Sequence, residues 1–304
     1  MGGFKIYYSF LLGAFGGALG WYLIASFLGQ SNEFVRGAVL GGCIGLFATS
    51  YDALITGAPS RIAKLSGIGA ALGVVAGTLG LPIGEMIYKA LAGSSEARTV
   101  VSVLGGAIGY AALGTIIGAA EGVGKGTQLW KALVGGLVGG LAGGIFFEVF
   151  GRASTRGGAA QGASEQQFVA IALTLLGGSI GAAVAWFTTA LKDAWFEIQS
   201  GKLAGTVINL SKYVAGQSGA RNVGVMGGST WEANIYLPGD PDIRPRHAEL
   251  TLRDGAPTLT IDEGAQREGA KLQVNGRDAT RWPLADGDTL RVGGTDMVYR
   301  DKRQ

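Results

Sequence analysis

The chain has 304 residues, of which 48% are hydrophobic and only 15% charged, with a mean hydropathy of +0.31 and a net charge of +3. A soluble domain carries about 25% charged residues, so a wholly soluble globular protein is excluded. From Lys202 onward 14 Lys/Arg face 13 Asp/Glu, which is no nucleic-acid footprint. One cysteine, Cys43, cannot make an intrachain disulfide, and with His247 as the one histidine no metal-ligand spacing exists.

The first apolar run follows a single lysine and has no small-residue cleavage site before polar sequence, so it reads as a retained membrane helix. A spanning helix needs about 20 apolar residues. Six segments qualify: 4–28, 34–55, 62–91, 99–120, 129–150 and 168–191. The string Leu-Gly-Gly-x-Ile-Gly occurs in the second, fourth and sixth, at Leu40–Gly45, Leu104–Gly109 and Leu176–Gly181. Its glycines are Gly41, Gly42 and Gly45, then Gly105, Gly106 and Gly109, then Gly177, Gly178 and Gly181. Each of these helices has a polar lead-in: Ser31-Asn32-Glu33, Ser94-Ser95-Glu96 and Ser164-Glu165. These would cap the helices and place Glu in the first turn.

The third and fifth segments carry glycine every fourth residue, Gly69, Gly73 and Gly77, then Gly135, Gly139 and Gly143. The first holds a looser series, Gly13, Gly16, Gly17 and Gly20. The repeat unit is therefore a hairpin, written at about 4–55, 62–120 and 129–191. Spacing of four puts these glycines on one helix face. In lipid, helices associate by close backbone approach, which small residues permit. In water each such glycine would cost a helix roughly 1 kcal/mol against alanine, so their density predicts helix packing.

With six crossings both termini share one side. That side would hold Lys5, Arg61, Lys64, Lys125, Lys131, Lys192 and Lys202, the other Arg36, Lys89, Arg98, Arg152 and Arg156. The positive-inside rule then places both termini in the cytoplasm, across the cell inner membrane. Trp21, Trp130, Trp186 and Trp195 fall near span ends, where an aromatic belt sits. Asp52, Glu85, Glu121, Glu148 and Asp193 also lie towards span ends, where a charge is cheap. Pro82 is the one candidate for a broken helix, and Gly151–Ser164 reads as a loop.

Near residue 201 the pattern changes to short alternating runs: 205–210, 222–225, 233–237, 248–252, 258–261, 271–274, 289–292 and 297–300. Turn signals separate them, including Pro238-Gly239-Asp240, Asn275-Gly276 and Gly293-Gly294. Many short strands at even spacing predict an all-β sandwich. The fold class is a six-helix, glycine-rich membrane domain over 1–197 with a cytoplasmic β-sandwich over 198–304.

Within the sandwich stand Val225-Met226-Gly227-Gly228-Ser229, Ala233-Asn234-Ile235-Tyr236-Leu237 and Asp240 through Arg246-His247-Ala248. Val274-Asn275-Gly276, Leu284-x-Asp286-Gly287-Asp288 and Leu290-Arg291-Val292-Gly293 follow. This ordered series resembles the forkhead-associated (FHA) domain, over about a third of the chain. The resemblance implies a β-sandwich whose loops bind phosphothreonine peptides. Such recognition uses an Arg after the first Gly, a Ser three residues before the His and an Asn before a later Gly. Those positions hold Gly228, Arg244, and Glu268 or Ala270 in this chain. Phosphate demands charge-assisted donors, and the three that the family supplies are replaced. The family's His, here His247, braces its loop. Gly227, His247 and Gly276 are the structural candidates, and Gly228, Ser229, Arg244, Arg246, Glu268 and Asn275 the partner-binding ones.

The functional expectation is a membrane scaffold or assembly subunit, without cofactor or enzymatic activity, whose sandwich docks a cytoplasmic protein without requiring phosphothreonine. Homo-oligomerisation or membership of a larger membrane complex is expected with it. The alternative is a channel or permease for a small solute or ion, regulated by the same domain. No phosphate loop and no nucleophile–base set supports an enzyme.

Overall fold

The computed structural model describes residues 2–28, 31–56, 59–91, 98–125, 129–156, 165–214, 223–253 and 256–302. They divide into a helical unit, Gly2–Ala190, and a β unit, Leu191–Gln304. The helical unit comprises α1 (Gly2–Leu23), prolonged by a π-helical turn at Ile24–Leu28, α2 (Glu33–Ala48), α3 (Tyr51–Thr56), α4 (Pro59–Leu91), α5 (Arg98–Lys125), α6 (Leu129–Arg156) and α7 (Glu165–Ala190). Among the described residues, five stretches are long and apolar enough to cross a membrane: Gly3–Leu28, Ile62–Gly84, Val103–Val123, Leu129–Val149 and Gln166–Ala190.

The second expected segment differs. α2 ends after 16 residues, and α3 begins anew at Tyr51. The hydroxyls between them explain the break. Thr49 Oγ1 donates to the Gly45 carbonyl at 2.9 Å and to Leu65 of α4 at 3.1 Å, while Ser50 Oγ bonds Ser66 Oγ at 2.8 Å. Side-chain bonds of this kind compete with the helical ladder. The cap of α2 is Asn32 rather than Ser31; its Oδ1 accepts the Val35 N–H at 3.0 Å, with Glu33 in the first turn. The lead-ins at 94–96 and 164 lie outside the described residues. α4 runs through Pro82 to Leu91 without ending there. α6 continues to Arg156, so the expected loop does not start at Gly151.

Each long helix packs on its neighbour in the chain, and α7 packs back on α1, closing a ring. Leu40 and Ile44 of α2, Leu113 and Ile117 of α5, and Leu176 and Ile180 of α7 join one buried apolar cluster. The glycines line the seams between helices. Gly41 and Gly45 face Gly73, Gly77 and Gly69 of α4, and Gly177 and Gly181 face Gly13 and Ser9 of α1. At each of these seams a Cβ would strike backbone of the facing helix. Gly109 abuts Gly80 and Gly84 of α4, and a Cβ on Gly84 would meet the Gly105 carbonyl at 2.9 Å. Gly42 meets Val74, Gly106 meets Glu148 and Gly178 meets the Phe10 ring.

Two features lay beyond the repeat pattern. The glycine doublets of α6 split between two seams. Gly135, Gly139 and Gly143 face Val184, Ile180 and Leu176 of α7, whereas Gly136, Gly140 and Gly144 face Gly114, Tyr110 and Ala107 of α5. The middle copy of the six-residue string is also turned. Leu40, Ile44, Leu176 and Ile180 are buried, but Leu104 and Ile108 are 49% and 38% exposed.

The β unit packs two sheets face to face. One holds β1 (Ala194–Ile198), β2 (Val207–Asn209), β7 (Leu272–Val274), β8 (Arg277–Asp278), β10 (Thr289–Val292) and β11 (Thr295–Asp301), in the order β2-β1-β11-β10-β7-β8. The other holds β3 (Gly224–Gly227), β4 (Ile235–Tyr236), β5 (Ala248–Arg253), β6 (Ala256–Ile261) and β9 (Arg281–Pro283), in the order β4-β3-β5-β6-β9. Short helices α8 (Ser211–Val214) and α9 (Glu263–Arg267) complete it. Inward residues such as Phe196, Met226, Leu250, Leu259, Val292 and Tyr299 form the core. Every expected alternating run overlaps a strand; residue 222, at the start of one run, lies outside the described residues.

The expected boundary after residue 197 falls inside β1, which pairs with β11 from Ala194↔Asp301 to Ile198↔Met297. The β unit therefore starts at Leu191, and Trp195 belongs to a sheet rather than to the end of a helix. Alternation in Ala194–Ile198, buried at residues 194, 196 and 198, was the available signal. It was hidden by the apolar run before it.

Candidate partner-docking site

The loops at one end of the sandwich are tied to one another. Asp240 Oδ2 accepts from Gly294 N–H and Thr295 Oγ1, both at 2.8 Å, and Gly228 N–H donates to the Arg244 carbonyl at 2.9 Å. Gly227 lies so close to Pro245 that a Cβ would strike its carbonyl. Beside it, a Cβ on Gly228 would sit 3.1 Å from the Ile243 carbonyl. Ser229 turns its loop inward: its Oγ accepts the N–H groups of Trp231 and Glu232, both at 3.3 Å. Trp231 stands at the tip of that loop with 86% of its surface exposed.

His247 is fully buried and holds three strands of chain. Its N–H donates to Met226 at 2.7 Å, Nδ1 accepts the Arg244 N–H at 3.3 Å and Nε2 lies 3.0 Å from the Lys271 carbonyl. These partners require the neutral ring protonated at Nε2. Burial lowers its pKa, outweighing the Lys271 carbonyl bond and the nearby Asp240, which raise it. The residue therefore braces its loop.

The two loop arginines are already paired. Arg244 Nε lies 3.2 Å from Glu268 Oε2, and its Nη2 donates to the Glu268 carbonyl at 3.1 Å. Arg246 Nη2 meets Glu249 Oε1 at 2.5 Å, and its Nε lies 3.6 Å from Asp262. The structure thus brings Arg244 and Glu268 together, with Gly228 one hydrogen bond away. Asn275 has a different set of partners. It sits at φ 51° before Gly276 at φ 76°, the left-handed pair of a two-residue hairpin between β7 and β8. Its Nδ2 donates to Asp288 at 2.8 Å and its Oδ1 accepts from Thr289 N–H at 3.0 Å. Asn275 and Gly276 thus set a turn. Trp231 was absent from the sequence-derived candidates; a lone tryptophan between two turn-forming stretches was the one sign of it. Among the described residues no group of three His, Cys, Asp or Glu side chains could hold a metal ion.

A family model for the FHA domain matches residues 225–293, so the β unit carries an FHA domain. Solved structures similar to this chain include one described as a structural and functional analysis of phosphothreonine-dependent FHA domain interactions, 22% identical over 36% of this chain and 96% of that one, with a TM-score of 0.28. Another is the FhaA FHA domain complexed with the intracellular domain of Rv3910, 20% identical over 35% and 99%, with a TM-score of 0.27. A third is the FHA domain of the CT664 protein from Chlamydia trachomatis, 20% identical over 36% and 98%, with a TM-score of 0.29. No curated protein matches the chain.

Proposed function

We propose that this chain, an FHA domain joined to helices apolar enough to cross a membrane, is a non-enzymatic scaffold or assembly subunit of the cell inner membrane. Its FHA domain docks a cytoplasmic protein without requiring phosphothreonine. The pairing of Arg244 with Glu268 carries this reading. Arg244 stands where the family places a phosphate-gripping Ser and is paired with Glu268, one of the two candidates (Glu268 or Ala270) for the family's Asn position, and a carboxylate beside it repels a phosphate dianion. Exposed Trp231 supplies the type of anchor that partner interfaces favour.

In the helical unit, the apolar cluster at the centre supports a packed anchor over a conduit. Six crossings with both termini cytoplasmic follow if α2 and α3 together make the second, since the 16 residues of α2 reach only about 24 Å against a hydrocarbon core of about 30 Å.

The test is a photo-crosslinker in place of Trp231 in the full chain, followed by purification of the crosslinked protein. Its affinity for the detergent-solubilised chain is then measured before and after phosphatase treatment. Equal affinities support the reading. Loss of binding after dephosphorylation overturns it.

A further inference from the structure

Ser229 fixes how the loop between β3 and β4 presents its tip. Its Oγ holds the N–H groups of Trp231 and Glu232, and its carbonyl accepts the N–H of buried Ala233 at 3.1 Å. Trp231 and Glu232, next to each other at the tip, are both left exposed. At 86% exposure the Trp231 ring is open to a ligand. The contrast within the β unit is Trp195, whose ring already has Lys192 Nζ 4.0 Å and Lys302 Nζ 5.7 Å from its centre. Among the described residues no cation lies over Trp231.

A second carboxylate belongs to the same surface. Gly228, at the base of the tip, lies against the Ile243 carbonyl, and Asp242 is the exposed residue before Ile243. Among the described residues neither the Glu232 nor the Asp242 carboxylate has an ion-pair or hydrogen-bond partner. The arginines of these loops do not balance them, because Arg244 is held by Glu268 and Arg246 by both Glu249 and Asp262. Of the lysines at this end, Lys202 lies against Gly239 and Lys271 holds His247 through its carbonyl, and neither pairs with Glu232 or Asp242. The tip therefore joins an open indole face to uncompensated negative charge. A guanidinium or ammonium group satisfies both: it stacks on the ring, and its N–H groups reach the carboxylates. A phosphate satisfies neither.

We infer that the partner docks through a cationic segment, an arginine or lysine of which seats on the Trp231 ring with Glu232 and Asp242 beside it. This rests on the docking reading above and gives the partner its charge.

The test uses three fluorescein-labelled peptides: Ser-Gly-Arg-Val-Arg-Gly-Ser, the same peptide with glutamate in place of both arginines, and Ser-Gly-Ala-phosphothreonine-Ala-Gly-Ser. Binding to the full chain in neutral detergent is read by fluorescence anisotropy at low salt. The arginine peptide is expected to bind at least about tenfold more tightly than the glutamate peptide. Glu232→Gln/Asp242→Asn should weaken it by about two- to fivefold for each carboxylate lost. Trp231→Leu, which keeps apolar bulk and removes the ring, should weaken it by about two- to fivefold, and Trp231→Phe by less. Melting curves report whether each variant has folded. If one has not, sodium chloride at about 0.5 M, applied to the unaltered chain, takes its place and must weaken the arginine peptide. Equal or tighter binding of the glutamate peptide, binding of neither, or an affinity unmoved by these changes overturns the inference and leaves the docking reading standing. Tightest binding of the phosphothreonine peptide would instead overturn the docking reading, and the inference with it.

Discussion

Arg244 and Glu268, 24 residues apart in the chain, close on each other at the loop end of the sandwich, with Nε and Oε2 3.2 Å apart. The pair is partly exposed, at 38% and 63% of its side-chain surfaces. Such pairs contribute about 0–1 kcal/mol. Its role therefore lies in recognition more than in stability. Arg244→Ala is expected to lower the melting temperature of the β unit by no more than about 4–8 °C, the equivalent of about 1 kcal/mol, read by intrinsic fluorescence. Glu268→Ala frees the guanidinium, and its affinity for a phosphothreonine peptide should rise above that of the unaltered chain in fluorescence anisotropy. A fall in that affinity would mean Glu268 itself helps to hold the peptide.

Trp231 spends almost no surface on its own domain. Trp231→Ala should leave the melting curve unchanged while weakening partner binding by about 2 kcal/mol or more, roughly thirtyfold, as an interface anchor does. Titration calorimetry with the crosslink-identified partner gives the number. Unaltered affinity would move the docking surface elsewhere.

His247 makes the loop end sensitive to acid. Burial lowers its pKa in the folded state relative to the unfolded value of about 6.5. Between those two values the unfolded chain binds more protons, so stability falls as pH drops below about 6.5 and stops falling once the folded residue protonates. Protonation also removes the Nδ1 acceptor used by the Arg244 N–H. Unfolding of the β unit should therefore show a drop in stability below pH 6.5 that His247→Gln flattens, at the expense of lower stability at pH 8. Denaturant titrations at a series of pH values test this; an unflattened slope would assign the acid sensitivity to other groups.

Two glycines offer an internal contrast. A Cβ on Gly41 would collide with the Gly73 carbonyl of α4, whereas a Cβ on Gly67 meets nothing within 4 Å. Gly41→Ala should lower the thermal stability of the detergent-solubilised chain, since facing backbones would have to separate. Gly67→Ala should be neutral or stabilising by up to about 1 kcal/mol, through helix propensity. Equal responses would remove backbone contact as the explanation for the glycine at 41.

Much of the architecture was legible in local pattern. The run Thr289–Val292 alternates with period two because one sheet face is buried, and each of the expected runs overlaps a strand. β8 was missed because Arg277 and Asp278 are both exposed and leave no apolar trace. β1 was missed because Trp195 and Phe196 follow an apolar helix closely and extend its composition. The break at Thr49 escaped because hydroxyl groups that turn back onto carbonyls look no different in sequence from hydroxyl groups that do not.

What the residues alone determined is what depends on neighbours along the chain: apolar runs of spanning length, glycines brought to one face by spacing, and strands marked by alternation and turns. Which seam each glycine of a doublet serves, how α5 turns Leu104 and Ile108 outward, and that Arg244 meets Glu268 were decided by tertiary structure. Such contacts join segments far apart in sequence, and their geometry depends on the packing of every helix and strand between them.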